Sequence, residues 1–240
     1  RVPILAHESD SSPGLANRIS LRFLSTYCTT FPTPNASVMM QKYKVVNTGS
    51  PIRHEILSGD ADRGRELLDF ADEKPLLVVT GGSLGAKFLN EKLREALDPL
   101  TKDFNVLHVC GRGNLASINK RGYIQKEYVA EHWGDLLSAA DLVVSRAGAN
   151  ALLELLALKK VCIFVPLSRK VSRGDQMENA HFVSNNNFGR VLQEEGLTVE
   201  SFLKEIFETF SNREMHQRAL NEFSTEDSSS LIYKEIVELG

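Results

Sequence analysis

The sequence predicts an α/β protein built on a doubly wound parallel sheet. Three observations carry that expectation. From Pro75 onward, short apolar runs alternate with segments of helical period. The junctions after those runs are rich in glycine and other small residues. Two junctions, residues 81–86 (GGSLGA) and 145–150 (SRAGAN), combine glycine with groups able to meet an anion. Repeated strand–turn–helix units of this kind specify a parallel sheet with helices on both faces.

Taken in order, residues 2–6 (VPILA) read as a strand already under way, with no Met and no cap before it, so the chain is expected to be a fragment. His7-Glu8-Ser9-Asp10 follows, and Pro13-Gly14 opens a helix over 15–24. Val45-Val46 is a second short strand that closes a first segment, residues 1–48. Thr48-Gly49-Ser50-Pro51 is turn chemistry. The polar stretch through residue 74 holds a helix over 62–70 and reads as a connector, residues 49–74. A larger domain spans 75–222. Its strands are expected at 76–79, 106–109, within 123–129, and at 142–144, 161–165 and 190–192. Its helices are expected at 87–97 and 133–140, after the 145–150 junction, and at 199–210 and 215–223. A terminal helix with an apolar stripe (Leu231, Ile232, Ile236, Val237) completes the chain within 223–240.

Composition narrows the classes. A chain of 240 residues permits one large domain or two modest ones. A formal net charge of −3 gives no support for a nucleic-acid partner. Cys28, Cys110 and Cys162 are far apart and odd in number, which fits reduced thiols in a cytoplasmic setting. No signal peptide and no run of 18 apolar residues is present, so no transmembrane segment is expected, while surface association stays open.

The 145–180 stretch carries most of the chemistry. In open parallel sheets the ligand crevice lies beyond the carboxyl ends of the strands. Small residues around Gly148 let the backbone N–H groups of a helix start approach an anion. Glu154 stands among Leu152, Leu153, Leu155 and Leu156, and an acid there needs a partner or a ligand. About two turns into its helix, it can reach a sugar diol. In the other turn, Gly81, Gly82 and Gly85 permit close approach, and Ser83 offers a hydroxyl and an N–H to a phosphate. It is neither a Walker loop nor a G-x-G-x-x-G fingerprint.

Other motifs are set aside. Asp60-Ala61-Asp62 has a metal-binding spacing but sits in a polar stretch with no strand leading into it, so it reads as a solvated turn. No Cys/His cluster has zinc spacing, so neither a metal nor a cofactor is expected. Arg173-Gly174-Asp175 is a coincidence in an α/β chain, and no nucleophile elbow supports a hydrolase.

Together HESDSSPGLANRIS, GSPIR, GGSLGAKFLN, SRAGANALLELLAL and SRGDQMENA resemble the MurG family, the bacterial lipid II-forming N-acetylglucosaminyltransferases, in the form found in low-GC Gram-positive bacteria. The resemblance implies a GT-B fold of two Rossmann-like domains facing a cleft, with residues 1–48 a remnant of the acceptor domain. It implies transfer of GlcNAc, with inversion, from UDP-GlcNAc to lipid I at the cytoplasmic face of the membrane. The terminal helix would cross back to the first domain. Ser83 would meet the diphosphate, Glu154 the ribose, and Val129 the uracil, with Arg53 beside the nucleotide. Gln176 and Asp175 would read the GlcNAc hydroxyls, supported by Asn179 and Ala149.

Asp10 and Asp175 depart from the amides common at those positions in the family. The family's amino-terminal G-G-T-G-G-H loop is not in this sequence, which leaves Glu8 and Asp10 as weak candidates for the general base. A donor-binding fragment with negligible transfer is expected on these grounds. Three other readings fit some of the features: a non-catalytic UDP-sugar-binding subunit of a split transferase, a UDP-GlcNAc epimerase, and, more weakly, a glycolipid synthase using diacylglycerol as acceptor.

Overall fold

The computed structural model describes residues 2–32, 42–82, 86–168, 172, 174–224 and 227–240. The chain separates into two compact units, residues 1–52 with 224–240, and residues 53–223.

The smaller unit holds three parallel strands in the order β1 (Leu5–Glu8), β2 (Thr26–Thr29), β3 (Lys44–Asn47). Helix α1 (Leu15–Ser20) and one 3-10 turn (Leu21–Phe23) link the first two. Leu24, Tyr27, Tyr43 and Val45 form its core, with the Tyr27 and Tyr43 rings edge to face at 6.1 Å. The first strand begins three residues later than the apolar run suggests. Val2 and Ile4 are exposed, and pairing starts at Leu5 opposite Thr26. β2 is not visible as an apolar run, because its buried residues are Thr, Tyr, Cys and Thr.

The larger unit opens with α2 (His54–Leu57) and α3 (Ala61–Leu68). Asp60 caps α3 by accepting from Arg63 N at 2.9 Å, so the D-x-D element serves helix initiation. Strand β4 (Leu76–Thr80) follows, then α4 (Lys87–Glu95) and α5 (Leu97–Asp103), which break at Ala96. Pro99 lies in the first turn of α5, where a missing N–H is tolerated. Next come β5 (Asn105–Val109), β6 (Tyr123–Lys126), α6 (Trp133–Ala139), β7 (Leu142–Ser145), α7 (Ala149–Ala157), β8 (Cys162–Phe164), α8 (Asp175–Asn185), β9 (Gly189–Val191), α9 (Val199–Ser211) and α10 (Arg213–Glu222).

All six strands are parallel, in the order β6-β5-β4-β7-β8-β9. Strand order reverses between β4 and β7, which makes that boundary the topological switch point. β4, β5, β7 and β8 are buried throughout, as expected for strands covered on both faces.

Residues 53–74 are packed into this larger unit rather than strung along it. Asp135 Oδ1 and Oδ2 accept from Arg63 at 2.6 Å each, and Oδ1 also accepts from Asp60 N at 2.8 Å. The Arg63 guanidinium, chiefly, holds the Asp135 carboxyl well below the usual carboxylate range. The closing helix, α11 (Ser228–Leu239), belongs to the smaller unit. It is capped by Asp227, and its buried Glu235 pairs with Lys44 at 2.7 Å.

Candidate functional site

The carboxyl ends of β4 and β7 open onto a cavity of about 400 Å³ in the larger unit. On the β4 side, Gly81 and Gly82 line it. Gly82 has φ +81°, a conformation that favours glycine, and its N–H donates to Thr80 Oγ1 at 3.3 Å. On the β7 side, Gly148 is the N-cap of α7 and supplies no capping side chain. A Cβ placed on Gly82 or Gly148 would meet no atom of the described residues within 4 Å. The space these glycines leave therefore faces the cavity, not a packed neighbour. Uncapped N–H groups at the start of α7, together with its dipole, favour an anion there.

Arg53, Val129, Gly148 and Gln176 line the same cavity as the β4 turn. Glu154 does not line it but is paired with Arg53, which does; its side chain is 14% exposed while the four leucines around it are buried. The partner an acid there requires is Arg53, whose Nε donates to Glu154 Oε1 at 3.0 Å. Gln176 Oε1 accepts from Leu167 N at 3.1 Å, which ties the start of α8 to the chain leaving β8. Asn179 is wholly buried and its Nδ2 donates to Ala147 O at 3.1 Å, bracing the turn before α7. Ala149 is the first residue of α7 and Asp175 the first of α8, after Gly174 at φ +89°. Ser83 and Gly85 lie outside the described residues.

Glu8 and Asp10 belong to the smaller unit. Glu8 is buried, and its carboxylate accepts from Asp10 N, Gly14 N and Asn17 Nδ2 at 3.2, 2.7 and 2.9 Å. That carboxylate shapes the loop between β1 and α1.

Sequence reasoning missed several cavity residues: Thr80, Tyr128, Trp133, Arg146, Ala151 and Leu167. Most give no pattern of their own. Arg146 did carry a signal, as a charge set directly after a buried strand. A second cavity, about 390 Å³, lies at the amino ends of β4 and β5 beside Leu76 and Asn105. Parallel sheets bind ligands at the opposite end, so the switch-point cavity is the stronger candidate. Among the described residues no cluster of His, Cys, Asp and Glu is arranged to hold a metal ion, and no helix is long and apolar enough to cross a membrane.

A doubly wound unit with paired glycine turns at its switch point, in a chain that also carries a second parallel-sheet unit, fits the GT-B class of glycosyltransferases. The crystal structure of Acinetobacter baumannii MurG superposes with a TM-score of 0.70 at 28% identity, covering 96% of this chain and 65% of that one. A rice protein solved in complex with UDP shares the fold, with a TM-score of 0.71 at 16% identity over 92% of this chain and 57% of its own. Residues 76–234 match the model of the glycosyltransferase family 28 C-terminal domain.

Curated relatives are named UDP-N-acetylglucosamine--N-acetylmuramyl-(pentapeptide) pyrophosphoryl-undecaprenol N-acetylglucosamine transferase. One from Bacillus cereus is 45% identical over 99% of this chain and 68% of its own length. One from Clostridium botulinum is 44% identical over 99% of this chain and 66% of its own. The chain thus spans about two thirds of the curated relatives it matches. It belongs to glycosyltransferase family 28 and, within it, to the MurG group.

Proposed function

We propose that the protein takes part in transferring GlcNAc from UDP-GlcNAc to the lipid-linked acceptor lipid I, forming lipid II at the cytoplasmic face of the membrane. The observation that carries this reading is the convergence of two glycine turns on one cavity at the switch point, lined also by Arg53, which is paired with Glu154. In this reading the diphosphate lies against the Gly81–Gly82 turn and the amino end of α7, and Ser83 is assigned to it on the sequence alone. Glu154 accepts from the ribose hydroxyls, with Arg53 beside it. Backbone groups at Val129 meet the uracil, while Gln176 and Asp175 face the sugar, their loops braced by Asn179 and Ala149.

Inverting transfer breaks the bond between the anomeric carbon and the β-phosphate oxygen as the acceptor 4-hydroxyl attacks from the opposite face. The hydroxyl proton passes to a base, and the negative charge that develops on the departing UDP falls where N–H groups already point. Donors fixed in place before reaction stabilise such charge without reorganisation. Glu8 and Asp10 stay weak candidates for that base, and the Glu8 carboxylate accepts from three donors in its own loop.

Calorimetry tests the donor half. UDP and UDP-GlcNAc are expected to bind in the presence of a metal chelator, because no metal ligand enters this assignment. Glu154→Ala should weaken UDP by about 1.5–3 kcal/mol, the range for hydrogen bonds to a charged group. Equal affinity in wild type and variant would refute the ribose contact. Incubation with UDP-GlcNAc alone separates the epimerase alternative, since only an epimerase makes a new sugar nucleotide without an acceptor.

A further inference from the structure

Arg146 follows β7 directly, lines the switch-point cavity and is buried, with 7% of its surface exposed. Its guanidinium is held on two sides. Nη1 donates to Val165 O at 3.0 Å and to Glu194 Oε2 at 3.2 Å, and Nη2 donates to Glu194 Oε1 at 3.1 Å. Val165 follows the end of β8, and Glu194 lies in the segment after β9. One side chain therefore ties the carboxyl ends of three neighbouring strands together. The Arg146 Nε is buried and has no hydrogen-bond partner among the described residues.

Burying an ion pair is rarely a gain in stability over apolar residues of the same shape. A fork–fork pair does provide direction, because the planar guanidinium fixes both oxygens of the carboxylate at once. What stands immediately after it is the Ala147–Gly148–Ala149 turn, whose carbonyl at Ala147 is already braced by Asn179.

We infer that Arg146, clamped by Glu194 and the Val165 carbonyl, is a positioning residue that holds the turn before α7 in the geometry that receives the donor's diphosphate. This rests on the UDP-sugar reading above. The clamp acts on the turn through its geometry rather than as a free positive charge, since Glu194 balances it.

The test compares UDP with uridine, which lacks the phosphates, on the intact 240-residue chain by calorimetry and ligand-observed NMR. Thermal melts monitor folding. Arg146→Lys keeps the charge and loses the fork; Glu194→Gln keeps the shape and breaks the charged pair. Both variants are expected to weaken UDP, roughly tenfold and threefold, while uridine affinity stays within twofold of wild type. Full UDP affinity in Arg146→Lys would overturn the proposal, and so would tighter UDP binding in Glu194→Gln, because either result means that charge alone matters. Parallel loss of uridine and UDP affinity in folded variants would also overturn it, as that marks a general structural role. Failure of the wild-type chain to bind UDP would instead refute the donor reading and this inference with it.

Discussion

At the scale of single residues, the larger unit sets one polar network inside its sheet. His108 on β5 is fully buried; its Nδ1 lies 2.8 Å from Tyr123 Oη and its Nε2 lies 2.8 Å from Asn90 Oδ1. Asn90 Nδ2 in turn donates to Cys110 O. Because Asn90 Oδ1 can only accept, Nε2 carries the proton and Nδ1 accepts from the tyrosine, which fixes a neutral ring. Burial first, and the Arg94 charge second, push the His108 pKa down to about 3. The unfolded chain titrates this group near 6.5, so above that pH the ring is neutral in both states and its contribution is complete. As pH falls below 6.5 the unfolded chain takes up a proton that the native ring refuses. Stability then declines by up to about 1.4 kcal/mol per pH unit from this group until the folded pKa is reached. NMR of the ring should show no titration of His108 between pH 7.5 and 5. A midpoint near 6 would mean that the network is open to water.

At the scale of elements, close backbone packing joins α6 to both α3 and α2. A Cβ on Gly64 would lie 2.2 Å from Asp135 O, and one on Gly134 would lie 2.2 Å from Glu55 O. Both obstacles are backbone and cannot turn aside. Gly64→Ala gains about 1 kcal/mol of helix propensity, yet the forced separation should outweigh it, since overpacking typically costs about 1–3 kcal/mol and more against rigid backbone. A lowered midpoint in urea unfolding is expected; an unchanged or raised one would show that α3 does not pack this closely. Nothing in the sequence announced this contact, because Gly64 sits in a polar stretch with no apolar periodicity. The same reason hid β2, whose buried faces carry threonines, and α8, where only Asn179, Ala180 and Val183 are buried among polar neighbours. The sheet of the larger unit was legible because its central strands are covered on both faces and therefore read as unbroken apolar runs. At the cavity, glycine turns could be read from residue types. Tyr128, Trp133 and Leu167 could not, since they reach it only through the sheet order.

At the scale of the whole molecule, the family match begins at residue 76, the first residue of β4, whereas the compact unit begins at residue 53. The difference is physical. Residues 53–75 contribute Ile56 and Leu68, both buried, and the Arg63 that pairs with Asp135. They also place Arg53 against Glu154. A fragment cut at the family boundary would expose the face of α6 that α2 and α3 cover and would leave the Asp135 carboxylate without its guanidinium. A fragment of residues 53–223 is therefore expected to unfold in one cooperative transition and to bind UDP. A fragment of residues 76–223 should melt at a clearly lower temperature or aggregate, as exposed apolar surface in a partly completed unit does. Calorimetric melts and UDP titrations of the two fragments side by side decide this. Equal melting temperatures would show that α2 and α3 merely rest on the unit. Equal UDP affinity would show, separately, that Arg53 contributes nothing to the nucleotide site.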